Sequence, residues 1–301
     1  MALLLLFGVI RRPRISALLT GIAALVIIGT ASTPAIAQRQ GFNLGPSELT
    51  PQQVNLIADA GGDMVRFPCH FWNNPDLGYW LNLADATQQV CERRGMVLVI
   101  AFQMRADVFD TRLGQDEFVK AWQKFAQRFS GRQGRIWYEL GNEITHPAWR
   151  DIALRAAQAI QGPDKRHNIA FSPRGTTTDP AATFTPLPGI TNQILTFHYY
   201  DWWNVQYGGV PYPSTGRTRD ILRQRLQRVA DAGRRHGLPV YISEVAILQY
   251  HQNAPRFLRD FTSICDEFGI NLTVHAYREW EGWNYELNPA AWSVLKAWLA
   301  R

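Results

Sequence analysis

The chain alternates short apolar runs with amphipathic segments, and this alternation limits its fold more than any other feature. Several runs, such as VLVIAF, are apolar on both faces, as strands buried in a parallel sheet should be. Amphipathic segments between such runs imply parallel β-α units. Eight strands are predicted: Phe42–Leu44, Asp63–Phe67, Met96–Phe102, Arg135–Leu140, Asn168–Ser172, Gln193–His198, Val240–Ser243 and Asn271–His275.

Eight such units in about 260 residues are the size of a (β/α)8 TIM barrel, and we expect one α/β domain over residues 38–301. A doubly wound open sheet is the alternative, but GFNLGPSEL after the first strand lacks its G-x-G-x-x-G loop. The connection near Pro180–Pro188 has a poor helical pattern and is expected to be mostly loop. The predicted helices are Pro51–Ala60, Leu81–Arg94, Gln115–Phe129, Ala148–Gln161, Thr218–His236, Pro255–Phe268 and Ala290–Leu299.

The N-terminus has the pattern of an export signal. Arg11, Arg12 and Arg14 precede an apolar run from Ile15 to about Thr30, and the small-x-small sequence Ala-Ile-Ala ends at residue 37. This pattern predicts a signal peptide over residues 1–37 and a secreted or periplasmic protein. The apolar MALLLLFGVI before the arginines keeps an uncleaved membrane anchor open as the alternative.

Charge and cysteine content exclude some functions. The net charge of +6 falls to about +3 without the three signal arginines, so a nucleic-acid partner is not expected. Cys69, Cys91 and Cys265 match no metal motif, and either one disulfide or buried free thiols would fit them. We predict no cofactor, no metal and no obligate protein partner. Histidines 146, 167, 236 and 251 are expected at the surface.

Two glutamates each close a buried strand, Glu143 after strand four and Glu244 after strand seven. In a barrel the active site lies at the C-terminal strand ends, so their long side chains can converge over the mouth. Glycoside hydrolysis needs two such carboxyl groups, about 5–5.5 Å apart for retention of configuration and wider apart for inversion. Glu139, four residues before Glu143, is expected to face inward as a structural carboxylate, paired with Arg66 or another cation.

Aromatic side chains support a sugar-binding mouth. The chain has 11 tryptophans, a large number for its length, and indole faces suit the apolar faces of pyranose rings. Those on predicted helices, Trp122, Trp149, Trp292 and Trp298, are expected in the core. Those in predicted strand-end loops, either binding sugar or packing the loops, are Trp72, Trp202, Trp203, Trp280 and Trp283.

The order of motifs resembles the retaining β-glycosidases of clan A, most closely glycoside hydrolase family 5, the cellulase family. The motifs are R-x-P after strand two, LGNE, H-x-Y, SE and REWEGW, and they span the predicted mature chain. The resemblance implies that Glu143 is the acid/base and Glu244 the nucleophile. It also implies that Asn142 binds the sugar 2-hydroxyl and that Tyr200 orients Glu244.

The same resemblance gives three further roles. His198 would line the site near the acid/base, Arg66 would keep the nucleophile ionised, and Trp280 would be the platform under the reacting sugar. One departure concerns strand three, where many relatives end in histidine and this chain has Gln103. Gln103 or His70 is expected to take that place, which affects substrate choice more than chemistry.

These features together predict a metal-independent retaining glycosidase that acts on a β-linked glycan. β-1,4-Glucan is the first substrate to expect, with β-mannan and short β-glucosides as rivals. The sequence leaves endo and exo action open. A transglycosylase and a non-catalytic glycan-binding barrel are the alternatives from other functional classes.

Overall fold

Eight parallel strands close into one barrel in chain order, which confirms the predicted (β/α)8 fold. The computed structural model describes residues 38–45, 50–175, 183–200, 212 and 216–301, without the side chains of residues 216 and 217. The strands are β1 (Gln40–Leu44), β2 (Met64–His70), β3 (Val97–Gln103), β4 (Arg135–Glu139), β5 (Asn168–Phe171), β6 (Gln193–Tyr199), β7 (Val240–Val245) and β8 (Asn271–Tyr277).

Helices follow most of the strands and pack on the outside of the barrel. Between β5 and β6 the described residues contain no helix. This agrees with the predicted loop for residues 183–188, whereas residues 176–182 lie outside the described part of the chain. No described helix has both the length and the hydropathy of a membrane span. The helices are α1 (Pro51–Asp59), α2 (Leu77–Arg94), α3 (Arg112–Phe129), α4 (Trp149–Gln161), α5 (Gly216–His236), α6 (Ala254–Phe268) and α7 (Pro289–Leu299).

Helices α2 and α3 begin earlier than predicted because polar side chains cap them. The Asp76 carboxylate accepts a hydrogen bond of 2.8 Å from the backbone N–H of Gly78, and α2 starts at Leu77 instead of Leu81. The Thr111 hydroxyl accepts from the backbone N–H of Gly114 at 3.1 Å, so α3 starts at Arg112. These caps precede the first apolar residues of each helix, and periodicity alone places the start too late.

The barrel has two apolar layers. Side chains that face the barrel axis fill its lower part, where Trp137 and Tyr241 meet edge to face at 5.4 Å. A larger layer fills the space between strands and helices, and there Phe102 stacks on Trp122 at 3.7 Å. The helical tryptophans contribute to this outer core as predicted, with Trp292 partly buried at its edge. The axial layer comprises Met64, Val97, Val99, Trp137, Ala170, Ile194 and Tyr241.

A bulge in β7 decides which way its last residues face. Phe197 pairs with Ile242, but the next residue, His198, pairs with Glu244, so Ser243 is the extra residue of β7. Ile242 belongs to the outer core, and strict alternation would send Glu244 to that same side. The bulge instead leaves Glu244 at the inner mouth of the barrel.

Two expectations about buried groups are corrected or resolved. His167 and His251 are 5% and 8% exposed, so the surface positions predicted for them are wrong. His167 is buried because its Nδ1 meets a carboxylate oxygen of Asp164 at 2.6 Å and its Nε2 meets the carbonyl of Gly134 at 2.9 Å. Of the two alternatives for the cysteines the structure has buried free thiols, and burial raises the pKa of each thiol.

All described residues belong to the compact unit that spans residues 35–301. The predicted export segment, residues 1–37, lies outside the described part of the chain, and so do Trp202 and Trp203.

Candidate active site

Glu143 lies on a tight turn just beyond β4. The strand ends at Glu139, and the backbone N–H of Asn142 then bonds to the carbonyl of Phe102 at 2.9 Å, which ties the turn to β3. Glu143 has a φ of 54°, in the left-handed region that is uncommon for residues with a side chain and clusters at functional sites. Its side chain is 37% exposed and lines the mouth of the barrel.

Glu244 lies at the mouth because of the β7 bulge, and its side chain is only 8% exposed. Arg66 donates to its Oε1 at 2.6 Å, and the Tyr200 hydroxyl donates to its Oε2 at 2.9 Å. Burial alone would raise the pKa of Glu244, but the charges of His198 and Arg66 outweigh it and hold that pKa at about 2. Glu244 is therefore an ionised carboxylate at neutral pH.

The two glutamates lie close enough to act on one bond. A carboxylate oxygen of Glu143 and one of Glu244 lie within 4.8 Å of each other, with a ring nitrogen of His198 inside the same limit. Carboxyl groups separated by ~5 Å can serve as acid/base and nucleophile, whereas inverting enzymes leave about 6.5–9.5 Å for a water between them.

Arg66 is the centre of the hydrogen-bond network below this pair. Its Nε and Nη2 donate to the two carboxylate oxygens of Glu139 at 2.7 and 3.0 Å. Its remaining donors reach Asn43 and Asn142 at 2.8 Å each and Glu244 at 2.6 Å. All five guanidinium N–H groups are thus used, which a buried arginine requires. Arg66 meets both of the carboxylates that the sequence offered as partners.

His198 connects the acidic groups of β4 and β7. Its Nδ1 lies 2.7 Å from Oε1 of Glu143 and 3.4 Å from Oε2 of Glu244, and its Nε2 lies 3.8 Å from Glu139. Burial lowers the pKa of His198, but Glu244 and the other carboxylates raise it to about 9 overall. The ring is therefore an imidazolium at neutral pH, and its Nδ1–H donates a hydrogen bond to Oε1 of Glu143.

Glu143, His198 and Glu244 are the only group among the described residues whose ligand atoms lie close enough to hold a metal ion. Their chemistry fits a proton-sharing cluster better. His198 carries a proton toward Glu143, and Glu244 already meets the guanidinium of Arg66. A metal ion would have to displace this proton and oppose a buried cation. The expectation of a metal-free site stays a prediction.

A cleft with a volume of about 280 Å³ opens above the two glutamates. Several of the residues predicted to contact sugar line it. One of them is Asn142, whose amide oxygen accepts a hydrogen bond from Arg66, so that the amide NH₂ group of Asn142 is left for a ligand. We call this space the mouth cleft. Its lining residues are Asn43, Leu44, Arg66, Pro68, His70, Trp72, Gln103, Asn142, Glu143, Glu244, His275, Glu279 and Trp283.

Trp280 does not line the mouth cleft. Its side chain is 45% exposed, its ring packs on Trp283 at 5.3 Å, and the absence of a side chain at Gly282 makes room for it. The aromatic groups that share the mouth cleft with Glu244 are His275, inside β8, and Trp283, in the segment after β8. The platform role predicted for Trp280 stays a prediction, and the geometry favours Trp283 for direct contact with substrate.

Sequence reasoning missed two residues of the site, His275 and Asn43. His275 lies inside β8, with Nδ1 4.0 Å from Glu244, although in the sequence it was only the last residue of the predicted strand Asn271–His275. Asn43 lies inside β1 and supports Arg66. Glu279 is different, because the sequence predicts it as a carboxylate near the mouth that binds sugar hydroxyls or holds a loop, and it does line the mouth cleft beside His275. The signal for His275 and Asn43 was present, since polar residues within apolar parallel strands need partners.

Comparison with known proteins places these residues in a family. The model of the cellulase family, glycosyl hydrolase family 5, matches residues 30–286. Cellodextrinase A of Ruminococcus flavefaciens is 20% identical over 268 residues, which cover 75% of this chain and 78% of that protein. Endoglucanase H of Acetivibrio thermocellus is 24% identical over 210 residues, 65% of this chain, and the match spans only 23% of that longer protein.

Solved structures share the fold. Cel5A of Thermotoga maritima, in a mutant form complexed with cellobiose, superposes with a TM-score of 0.76 and 15% identity, covering 88% of this chain and 97% of that one. The same protein with mannotriose gives a TM-score of 0.75 at 16% identity, with coverage of 86% and 97%. Because the family model matches most of the 301 residues, the chain belongs to the cellulase family, glycosyl hydrolase family 5.

Proposed function

We propose that the protein is a retaining β-glycosidase that hydrolyses β-linked glucan by double displacement through a covalent glycosyl-enzyme. The observation that carries the proposal is the separation of Glu143 and Glu244, whose nearest carboxylate oxygens lie within 4.8 Å. This spacing suits a direct attack by one carboxylate on the anomeric carbon and leaves little room for an intervening water.

In the first step Glu244 attacks the anomeric carbon. Arg66 and Tyr200 hold its two oxygens in place and keep it ionised, so one lone pair is aimed at the cleft. Glu143 is the more exposed carboxyl and stands where it can give a proton to the leaving oxygen. The aglycone leaves, and the glycone stays bound to Glu244 as an ester.

In the second step Glu143 acts as the base. It takes a proton from a water that attacks the anomeric carbon, and the bond to Glu244 breaks with the carboxylate as leaving group. Nδ1 of His198 lies 2.7 Å from Oε1 of Glu143, and this hydrogen bond holds the side chain of Glu143 in position. The configuration at the anomeric carbon inverts twice, so the product retains the configuration of the substrate.

Relatives support β-1,4-glucan as the first substrate and keep β-mannan as its rival. Two curated relatives are named endoglucanase and cellodextrinase, and Cel5A of Thermotoga maritima has been solved with both cellobiose and mannotriose. The mouth cleft offers Trp72 and Trp283 for stacking on sugar rings of either kind. Endo action is the form that we propose, with exo action as the alternative.

We also propose that the enzyme acts outside the cytoplasm. The support is the pattern of residues 1–37, with its basic cluster, apolar run and small-x-small site. If this segment is not cleaved, it would hold the enzyme at the membrane. N-terminal sequencing of the protein recovered from its native host distinguishes the two outcomes.

The function is tested by incubating the purified protein with β-1,4-glucan, β-mannan and aryl β-glycosides and following the first product by proton NMR. We expect the β-anomer of the new reducing end to appear before mutarotation. A first product in the α configuration, or no turnover of any β-glycoside, would contradict the proposal. Glu117→Gln on α3 is the matched control for carboxylate variants, because this side chain is 61% exposed.

The same samples address the alternative functions. A transglycosylase would transfer the glycone to added acceptor sugars at the expense of hydrolysis. A non-catalytic barrel would bind oligosaccharide without turnover.

A further inference from the structure

His70 is buried in the wall of the mouth cleft with no polar partner. It is 5% exposed, and among the described residues neither ring nitrogen has a hydrogen-bond partner. Burial lowers the pKa of His70 to about 4, so the ring is neutral at pH 7 and offers one donor and one acceptor. Buried polar groups in native proteins are nearly always satisfied, and an orphaned pair of nitrogens in a cleft points to a ligand.

Glu279 occupies the same wall and is fixed by its neighbours. A Cβ at Gly45 would lie 2.8 Å from Cβ of Glu279, so the close approach requires glycine there. Oε2 of Glu279 lies 3.0 Å from Nε2 of His275, a close contact that is not a hydrogen bond. His275 is held in turn by the edge-on ring of Trp283 at 4.6 Å, and its Nδ1 has no hydrogen-bond partner among the described residues.

The position of these residues in the barrel indicates which part of a substrate they meet. His70 ends β2, whereas His275 lies in β8 and Glu279 follows it, and β1 lies between these two strands. Glu143 follows β4, on the opposite side of the barrel. The leaving group must lie on the side of Glu143, which protonates it. The sugar attacked by Glu244 then extends toward β8, β1 and β2.

We propose that His70, His275 and Glu279 form a subsite that binds hydroxyl groups of the glycone and selects uncharged sugars. This inference rests on the proposed function and deepens it. The imidazole of His70 donates to one sugar hydroxyl and accepts from another, and the carboxylate of Glu279 accepts from hydroxyls. The same carboxylate repels a uronic acid at this position. His275 is a positioning residue that sets the direction of Glu279.

The test uses a trapping reagent without an aglycone. In a 2-deoxy-2-fluoro-β-cellobiosyl fluoride, Glu244 forms a bond to the anomeric carbon as fluoride leaves, and the ester then hydrolyses slowly. Because the reagent has no aglycone, only contacts to the glycone contribute to the rate at which the Glu244 ester forms. Intact-mass spectrometry measures this rate. We expect His70→Phe and Glu279→Gln to trap about tenfold more slowly than the wild type, in line with one lost hydrogen bond each.

Conservative replacement separates binding from folding. His70→Gln keeps a donor and an acceptor, so it should recover part of the rate that His70→Phe loses. His236→Gln, an exposed histidine at the end of α5, is the control and should trap like the wild type. If His70→Phe does not fold, Glu279→Gln and His70→Gln still give the result. Variant rates equal to the wild-type rate in these folded proteins overturn the subsite.

A second pair of reagents tests the charge selection. The wild type should prefer 2-deoxy-2-fluoro-glucosyl fluoride to the corresponding glucuronyl fluoride, and Glu279→Gln should narrow that preference. An unchanged preference overturns the role of the carboxylate. A wild-type protein that none of the fluorides traps, including the mannosyl analogue, contradicts the proposed function itself and is thereby distinguished from failure of the subsite.

Discussion

Nη1 of Arg66 donates a hydrogen bond of 2.6 Å to Oε1 of Glu244 at the centre of the barrel mouth. The same guanidinium is clamped from below by both carboxylate oxygens of Glu139, at 2.7 and 3.0 Å. Arg66 therefore has its direction fixed before it meets the nucleophile. A preorganised partner of this kind places Glu244 without reorganisation during the reaction. The site is thus built as two buried carboxylates that share one cation.

Replacing Glu139 with glutamine should destabilise the fold. It leaves Arg66 buried with one carboxylate fewer, and breaking a buried ion pair from one side costs about 3–5 kcal/mol. Urea denaturation should show a lower midpoint, whereas Glu117→Gln at an exposed pair should change stability by less than about 1 kcal/mol. An unchanged midpoint for Glu139→Gln would show that the clamp does not stabilise the barrel.

Replacing Tyr200 with phenylalanine should slow the second chemical step most. That step regenerates the Glu244 carboxylate, and the Tyr200 hydroxyl donates to it at 2.9 Å. A hydrogen bond to a charged group contributes about 1.5–3 kcal/mol, so we expect deglycosylation to slow roughly 10- to 100-fold. Stopped-flow kinetics with a dinitrophenyl glycoside should then show a burst of aglycone release. Equal slowing of both steps, or of neither, would contradict this role.

Replacing Glu143 with alanine should have an effect that depends on the leaving group. Hydrolysis of unactivated glycans should fall about 10²- to 10⁴-fold, as expected for the loss of a general acid. Dinitrophenyl glycosides need no protonation, so their first step should stay close to wild type while the second step slows. Added azide should restore turnover and give a glycosyl azide of retained configuration. A uniform loss across leaving groups would assign the proton transfer to another residue.

The folded protein should lose stability between about pH 6.5 and pH 9 because of His198. Its pKa is raised from the ordinary value of 6.5 to about 9 by the surrounding carboxylates. The folded state binds this proton more tightly than the unfolded state, so the stabilisation is complete below pH 6.5 and is lost as the pH rises through 9. Melting temperatures across this range should fall more steeply for the wild type than for His198→Gln.

The control for that titration is His236→Gln, since this histidine is exposed on α5. Its melting temperature should follow the wild-type curve. If the slopes of wild type and His198→Gln coincide, the protonated histidine does not contribute to stability.

Much of the fold could be predicted from local patterns of apolar and polar residues. The order of apolar strands and amphipathic helices predicted the barrel, because each unit repeats the same two periodicities. Glu143 and Glu244 were identifiable because each carboxylate stands at the end of an apolar run in the sequence. The distance between them was not predictable, since it depends on how far each strand runs and how each one twists.

The bulge at Ser243 shows why the sequence alone could not predict the rest of the site. Strict alternation assigns Glu244 to the same face as Ile242, and only the register against β6 shows that one extra residue turns it inward. His275 was missed for a related reason. Nothing in the local sequence of β8 shows that His275 lies beside Glu244 of the adjacent strand β7, because contacts between neighbouring strands depend on their register.

The central claim is that Glu244 becomes covalently bound to the sugar, and peptide mapping of the trapped enzyme tests it most directly. The protein is treated with a 2-deoxy-2-fluoro-β-cellobiosyl fluoride, digested, and analysed by tandem mass spectrometry. We expect one added glycosyl group, located on Glu244 and absent from Glu244→Gln. A label on Glu143 or Glu139, or a wild-type protein that turns over β-glycosides and never acquires a label, would contradict the account.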